Sequence, residues 1–231
     1  ALGYFSFNAY TTANKNIAIG FQSLDANTTG SENTALGTYT LSANTTASNN
    51  TAIGYQALVS NTTGAYNAAV GAFALDANTT ADYNTGVGYN ALTANTTGHS
   101  LCSFGTYALQ SNTTGDSNSA FGRSALQNNT TGYENVAIGK DALKVNTEGF
   151  VNVAIGAETL DANTTGDKNV AVGKGALTAN TTADNNVAIG WDALGANTTG
   201  TLNTAVGSQS LGNNSTGGEN LSLIHISEPT R

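Results

Sequence analysis

The sequence predicts an all-β fold, a parallel β-solenoid of about 13 coils with 17 residues and two short strands in each coil. A unit of 17 residues repeats without insertion or deletion from residue 16 to residue 219, which gives 12 complete copies after a partial first one. Apolar residues recur at two fixed places of the unit, and Gly and Asn recur at three more. Such a short, fixed period is typical of solenoids, in which each copy forms one coil stacked on the next.

The first strand is predicted over places 1 to 5, counted from the Asn that opens each copy, such as Asn152 in NVAIGAETLDANTTGDK. Its β-branched residues favour a strand. Place 5 is Gly in every copy, as expected at a corner where the backbone takes a positive φ or passes close to another segment. Coils about 4.8 Å apart would make a rod about 60 Å long.

The second strand is predicted over places 7 to 11, followed by the bend NTTG. Place 4 is always apolar, and place 9 is Leu in every copy but the first, so we expect these two ladders to form the core. Alternation along a strand would then turn the small residues of places 3 and 8 outward. The result would be Ala-lined faces that a partner sheet could cover.

Place 12 is an Asn that begins an Asn-x-Ser/Thr sequence in most copies, and two interpretations stay open. Stacked Asn side chains suit bends and can hydrogen-bond along the stack. The same sequence is an acceptor for N-glycosylation on exposed bends of secreted proteins. The candidate acceptors are Asn27, Asn44, Asn61, Asn78, Asn95, Asn112, Asn129, Asn163, Asn180, Asn197 and Asn214.

Composition argues against several functions. The net charge of −8 excludes a basic nucleic-acid surface, and the seven Lys and Arg show no cluster in the sequence. The acidic residues occupy variable places and indicate solvated faces. The single Cys102 sits where other copies carry Val, Thr or Ser, and no metal-ligand spacing, cofactor-binding loop or paired acid and base appears. We therefore expect no enzyme, no metal and no cofactor.

The adjacent threonines of the bend make ice binding a minor alternative, because two neighbouring side chains of a strand cannot both face outward.

Aromatic residues alternate between places 6 and 7 in the N-terminal half of the chain, at Phe21, Tyr39, Tyr55, Phe73, Tyr89 and Tyr107. They could form a stripe that binds carbohydrate, or they could cover a corner of the rod.

Residues 221–231, LSLIHISEPTR, do not follow the repeat and contain the only Pro of the chain. They resemble the translation of a sequencing adapter, so we expect a natural domain over residues 1–220 only. That domain would be a fragment of a longer protein known from environmental sequence. Nothing in the chain resembles a membrane-spanning segment.

The run Asn-Val-Ala-Ile-Gly at residues 135–139, 152–156 and 186–190 resembles the head repeats of YadA-like trimeric adhesins and related phage tail-fibre repeats. The resemblance covers residues 1–220. It implies a left-handed β-roll that forms a homotrimer on a cell or virion surface. The function expected is therefore an extracellular structural fibre or adhesin shaft that associates with copies of itself. The alternatives are a glycan-coated filament and a carbohydrate-binding module.

Overall fold

The computed structural model describes residues 1–9 and 12–223, and it confirms the parallel β-solenoid with its 17-residue period. One sheet of 13 strands runs in chain order, with every neighbouring pair parallel. The strands are β1 Ile17–Ile19, β2 Thr34–Leu36, β3 Thr51–Ile53, β4 Ala68–Val70, β5 Thr85–Val87, β6 Cys102–Phe104, β7 Ser119–Phe121, β8 Val136–Ile138, β9 Val153–Ile155, β10 Val170–Val172, β11 Val187–Ile189, β12 Thr204–Val206 and β13 Leu221–Ser222.

Equivalent residues of successive coils lie directly above one another. Ala154 pairs with Ala171, one full period further on. Hydrogen bonds between coils continue outside the strands, and the N–H of Gly173 donates to the carbonyl of Ile155 at 2.8 Å. Each coil therefore fixes its neighbours at the strand spacing of about 4.8 Å, and 12 coils span roughly 58 Å.

Each coil contains one strand, so the predicted second strand is wrong. Places 7 and 9 take left-handed backbone angles, as at Glu158 (φ 57°) and Leu160 (φ 51°), and places 7 to 11 form turns. This conformation costs about 1–2 kcal/mol for a residue with a side chain. Both N–H groups remain bonded: Glu158 donates to Lys140 in the preceding coil at 2.9 Å, and Leu160 donates to Ala176 in the following coil at 3.0 Å.

The core consists of places 3, 8 and 9, which corrects the predicted orientation of the strand. Ala154 and Leu160 are fully buried, whereas Ile155 at place 4 is 37% exposed. Gly86, a place-3 residue, shows why. A Cβ added there would lie 3.4 Å from Cγ of Leu75 and 3.5 Å from the carbonyl oxygen of Ala91. The interior between strand and turn has room for Ala but not for Ile, so the larger side chain faces out.

Two buried Asn ladders, at places 1 and 12, close each coil. Nδ2 of Asn163 donates to Oδ1 of Asn146 in the preceding coil at 2.9 Å and to the carbonyl of Gly166 at 3.0 Å. Nδ2 of Asn152 donates to the same carbonyl at 2.8 Å, and its N–H donates to Oδ1 of Asn135 at 3.0 Å. These bonds join the two sides of one coil and link that coil to the one before it.

The predicted adapter-derived tail begins inside the described part of the chain. Leu221 and Ser222 form β13 and continue the sheet, and Oγ of Ser210 donates to Oγ of Ser222 at 2.8 Å. Residues 224–231 of that tail lie outside the described residues. The described ranges contain no helix, and hence none that could cross a membrane.

Candidate functional site

The acceptor atoms predicted for N-glycosylation lie inside the rod. Nδ2 of Asn163, the atom that would carry the sugar, donates the two hydrogen bonds described above. Asn214 is partly buried and makes the same two contacts, to Asn197 and Gly217. A folded rod has no room for a glycan on the buried amides, and the ladder interpretation accounts for them. Ten of the predicted acceptors are fully buried: Asn27, Asn44, Asn61, Asn78, Asn95, Asn112, Asn129, Asn163, Asn180 and Asn197.

The outward side chains of places 2 and 4 form what we call the strand face. No strand from β1 to β13 carries a charged residue. Ile138 and Ile155 are 40% and 37% exposed, and Phe104 stacks on Phe121 with ring centroids 5.3 Å apart. Twelve coils and three residues of strand give a face of roughly 600 Å². This outline is at the upper end of the roughly 300–600 Å² found for the largest apolar patch of a typical monomer, and such patches are often functional. Sequence reasoning missed this face because it assigned place 4 to the core.

The predicted aromatic stripe is present and its rings contact one another. Rings at places 6 and 7 meet edge to face, as Tyr55 does with Phe73 at 5.3 Å between centroids and 86° between planes. Tyr55 and Tyr89, at place 6, are both 45% exposed. The continuous row, named here the aromatic row, comprises Tyr4, Phe21, Tyr39, Tyr55, Phe73, Tyr89 and Tyr107.

Basic residues do cluster in the structure, although they are separated in the sequence. Nη2 of Arg123, Nζ of Lys140 and Nζ of Lys144 lie 3.5, 3.4 and 3.4 Å from carboxylate oxygens of Asp141. Lys140 also lies 3.5 Å from Glu158. The Asp141 side chain is only 11% exposed, whereas the three cations are 42% to 58% exposed. This basic cluster occupies places 6, 7 and 10 of two successive coils.

An acidic groove of about 290 Å³ opens on the opposite edge of the strand, at places 14, 16 and 17 of two coils. The rings of Tyr133 and Phe150 stack with centroids 4.8 Å apart and planes 4° apart. Asp116 occupies the same place in the coil on the other side of Tyr133, and both residues line the groove. Oδ1 of Asp116 also accepts a hydrogen bond from the N–H of His99 at 2.7 Å. The lining residues of this Tyr133 groove are Thr114, Asp116, Ser117, Thr131, Tyr133 and Glu134.

The Cys102 thiol, the threonines of the bend and the possible metal ligands offer less support for a function. Burial raises the pKa of the Cys102 thiol, which disfavours the reactive thiolate. Oγ1 of Thr164 at place 13 donates to the carbonyl of Thr181 at 3.0 Å and Thr164 is half-buried, whereas Thr165 at place 14 is exposed. Within residues 1–9 and 12–223, no group of three or more His, Cys, Asp or Glu side chains could hold a metal ion.

These features define the class of protein: a parallel β-solenoid whose coils are tied together by Asn, Gly and Leu ladders. The chain matches no protein-family model, no curated protein and no solved structure.

Proposed function

We propose that the chain is a structural fibre segment, an extracellular shaft of the adhesin or tail-fibre kind, that works by stiffness and by association with copies of itself. The uninterrupted stack supports the first part. From residue 16 onward, each coil is hydrogen-bonded to its neighbours through backbone and Asn side chains, so bending the rod requires many bonds to be distorted together. A mechanical role of this kind needs no catalytic residue.

The strand face carries the second part of the proposal. It carries an apolar residue at place 4 of every strand from β1 to β12 and no charge over the length of the sheet, while the chain as a whole has a net charge of −8. Copies of like charge can approach most closely through an uncharged surface. Its roughly 600 Å² is comparable to the ~800 Å² that each partner buries in a stable interface.

Sedimentation of purified protein tests this proposal. We expect wild type to form oligomers and a variant with Ile138→Lys and Ile155→Lys to be monomeric. The expected loss of affinity is about 30-fold or more, the effect of removing a buried anchor from an interface. The matched control carries Thr165→Lys and Thr182→Lys on the exposed bend, and it should associate like wild type. Monomeric wild-type protein at high micromolar concentration would refute self-association.

A second candidate function is carbohydrate binding by the aromatic row. The exposure of Tyr55 and Tyr89 favours it, since a sugar could lie on rings that are held in place by their neighbours. Binding to a glycan array that disappears with Tyr55→Ala and Tyr89→Ala would support this function. Binding that survives both substitutions would remove the aromatic row from consideration.

A further inference from the structure

A strand face of mostly similar, uncharged residues determines only weakly how two copies align along the rod. Place 4 is Leu, Ile or Val in every strand from β1 to β12 except at the stacked pair Phe104 and Phe121, and place 2 is always uncharged. Sliding one copy by one coil therefore displaces the Phe pair but otherwise exchanges similar contacts and exposes only an end. Strand register is poorly specified on surfaces that lack distinguishing side chains. A defined assembly therefore needs contacts that occur at one height only.

Two charged features meet that requirement. The basic cluster is confined to the coils that begin at Asn118 and Asn135, at the place-6 edge of the strand face. The Tyr133 groove lies in the coils that begin at Leu101 and Asn118, at the opposite edge. Arg123 and Glu134 belong to the same coil. The two features are therefore at nearly the same height and on opposite sides of the strand face.

The Tyr133 groove has the chemistry of a cation site. Two carboxylates, of Asp116 and Glu134, line it together with the Tyr133 ring, which is 41% exposed. The far end of the same ring stack already holds a cation, because Nζ of Lys168 lies 5.7 Å from the centroid of the Phe150 ring. Ammonium and guanidinium groups bind aromatic faces at such distances, and nearby carboxylates strengthen that binding.

We infer that the Tyr133 groove receives Arg123 and Lys140 of a second copy, and that this contact fixes a parallel, in-register assembly. A rotation axis parallel to the rod places the place-6 edge of one copy beside the place-17 edge of the next, at equal height. An antiparallel arrangement instead brings equivalent edges together. Arg123 and Lys140 are 58% and 51% exposed. Their ion pairs with Asp141 and Glu158 at 3.4–3.5 Å must be shared or exchanged for the carboxylates of the groove. This inference rests on the proposed self-association.

Charge reversal tests the contact. Arg123→Glu with Lys140→Glu should raise the dissociation constant about 10-fold, and Asp116→Lys with Glu134→Lys should do the same. The chain with all four reversals should return to within about 3-fold of wild type, which misfolding cannot explain. The control is Asp25→Lys with Asp161→Lys, which changes net charge as the acidic reversal does but at place 10. It should leave affinity within about 3-fold.

Spin labels test the alignment. Thr46→Cys and Thr199→Cys, each in a Cys102→Ser background, lie nine coils apart, which is about 43 Å along the rod. A parallel, in-register assembly gives the same short inter-copy distance for both labels. An antiparallel one separates each label from its partner by tens of ångströms.

The outcomes separate the two proposals. Monomeric wild type overturns self-association and the groove contact together. If wild type associates but the charge reversals have no effect, or the labels indicate an antiparallel pair, only the groove contact is overturned.

Discussion

Gly156→Ala should break the contact between two coils. Gly156 stands at the place-5 corner with φ 137°, a conformation that residues with a Cβ rarely adopt. A Cβ built there would lie 2.7 Å from the carbonyl carbon and 2.8 Å from the carbonyl oxygen of Gly173 in the next coil. It would also lie 2.8 Å from Oγ1 of Thr159. These steric clashes can be relieved only if the backbones of the two coils move apart.

The expected cost has two parts. An unfavourable backbone conformation costs about 1–3 kcal/mol. Separating the coils also weakens the bond from the N–H of Gly173 to Ile155, worth about 1 kcal/mol. Together they predict a loss of roughly 2–4 kcal/mol, in addition to any loss of packing. Because a solenoid is stabilised mainly between neighbouring coils, we expect the damage to concentrate at this junction.

Gly175→Asn is the matched control. Gly175 also has a positive φ, of 70°, but a Cβ there would meet only Oδ1 of Asp192 at 3.5 Å. Asn90 occupies the equivalent place with φ 54°. The control should change stability by less than about 1 kcal/mol, with stabilisation possible because the unfolded chain loses freedom.

Urea unfolding followed by circular dichroism measures both variants, and hydrogen exchange locates the opening. Fast exchange in Gly156→Ala should centre on the coils of residues 152–185. Wild-type stability of Gly156→Ala would refute the reasoning. Equal destabilisation by Gly175→Asn would also refute it, since positive φ alone would then explain the effect.

Three further substitutions should shift the urea midpoint. Asn163→Ala removes the two hydrogen bonds that Nδ2 of Asn163 donates, and it leaves Nδ2 of Asn180 without its partner at 2.9 Å. We expect the free energy of unfolding to fall by about 3 kcal/mol, and an unchanged value would contradict a stabilising role for the Asn ladder. Val151→Asn should stabilise by about 1 kcal/mol, because φ is 56° there and Asn tolerates this conformation better; destabilisation would contradict that reason. Burial raises the pKa of the Asp76 carboxyl, which means that the folded state favours the protonated, neutral form. The free energy of unfolding should therefore fall as pH rises through the folded-state pKa and the carboxyl becomes charged. Asp76→Asn should therefore stabilise at pH 7 and have little effect below the ordinary pKa of about 3.9, and an equal effect at both pH values would contradict this.

The period, the corners and the Asn ladders could be predicted because the chain repeats them, so each place is observed many times. The orientation of the strand could not. It depends on left-handed turns at places 7 and 9, and Leu160 is a residue whose intrinsic preferences point away from that conformation. If those turns are not known, the apolar residues of place 4 are assigned to the core, and the sequence does not predict that they form an exposed face. The basic cluster was missed for a related reason, since Arg123 and Lys140 become neighbours only when one coil stacks on the next.

The irregular coil at Leu101 shows how the ladders support one another. Leu101 keeps the bond from its N–H to Oδ1 of Asn84 at 2.9 Å, but it has no Oδ1 to offer Asn118 and no Nδ2 for Gly115. The carbonyl of Gly115 still accepts Nδ2 of Asn112 at 3.0 Å. The sheet continues through this coil in register, and Leu101 is almost fully buried. One ladder can therefore lose a member when the second ladder, the backbone bonds and apolar burial remain. The Gly corner has no such substitute, because its constraint is the space between two backbones.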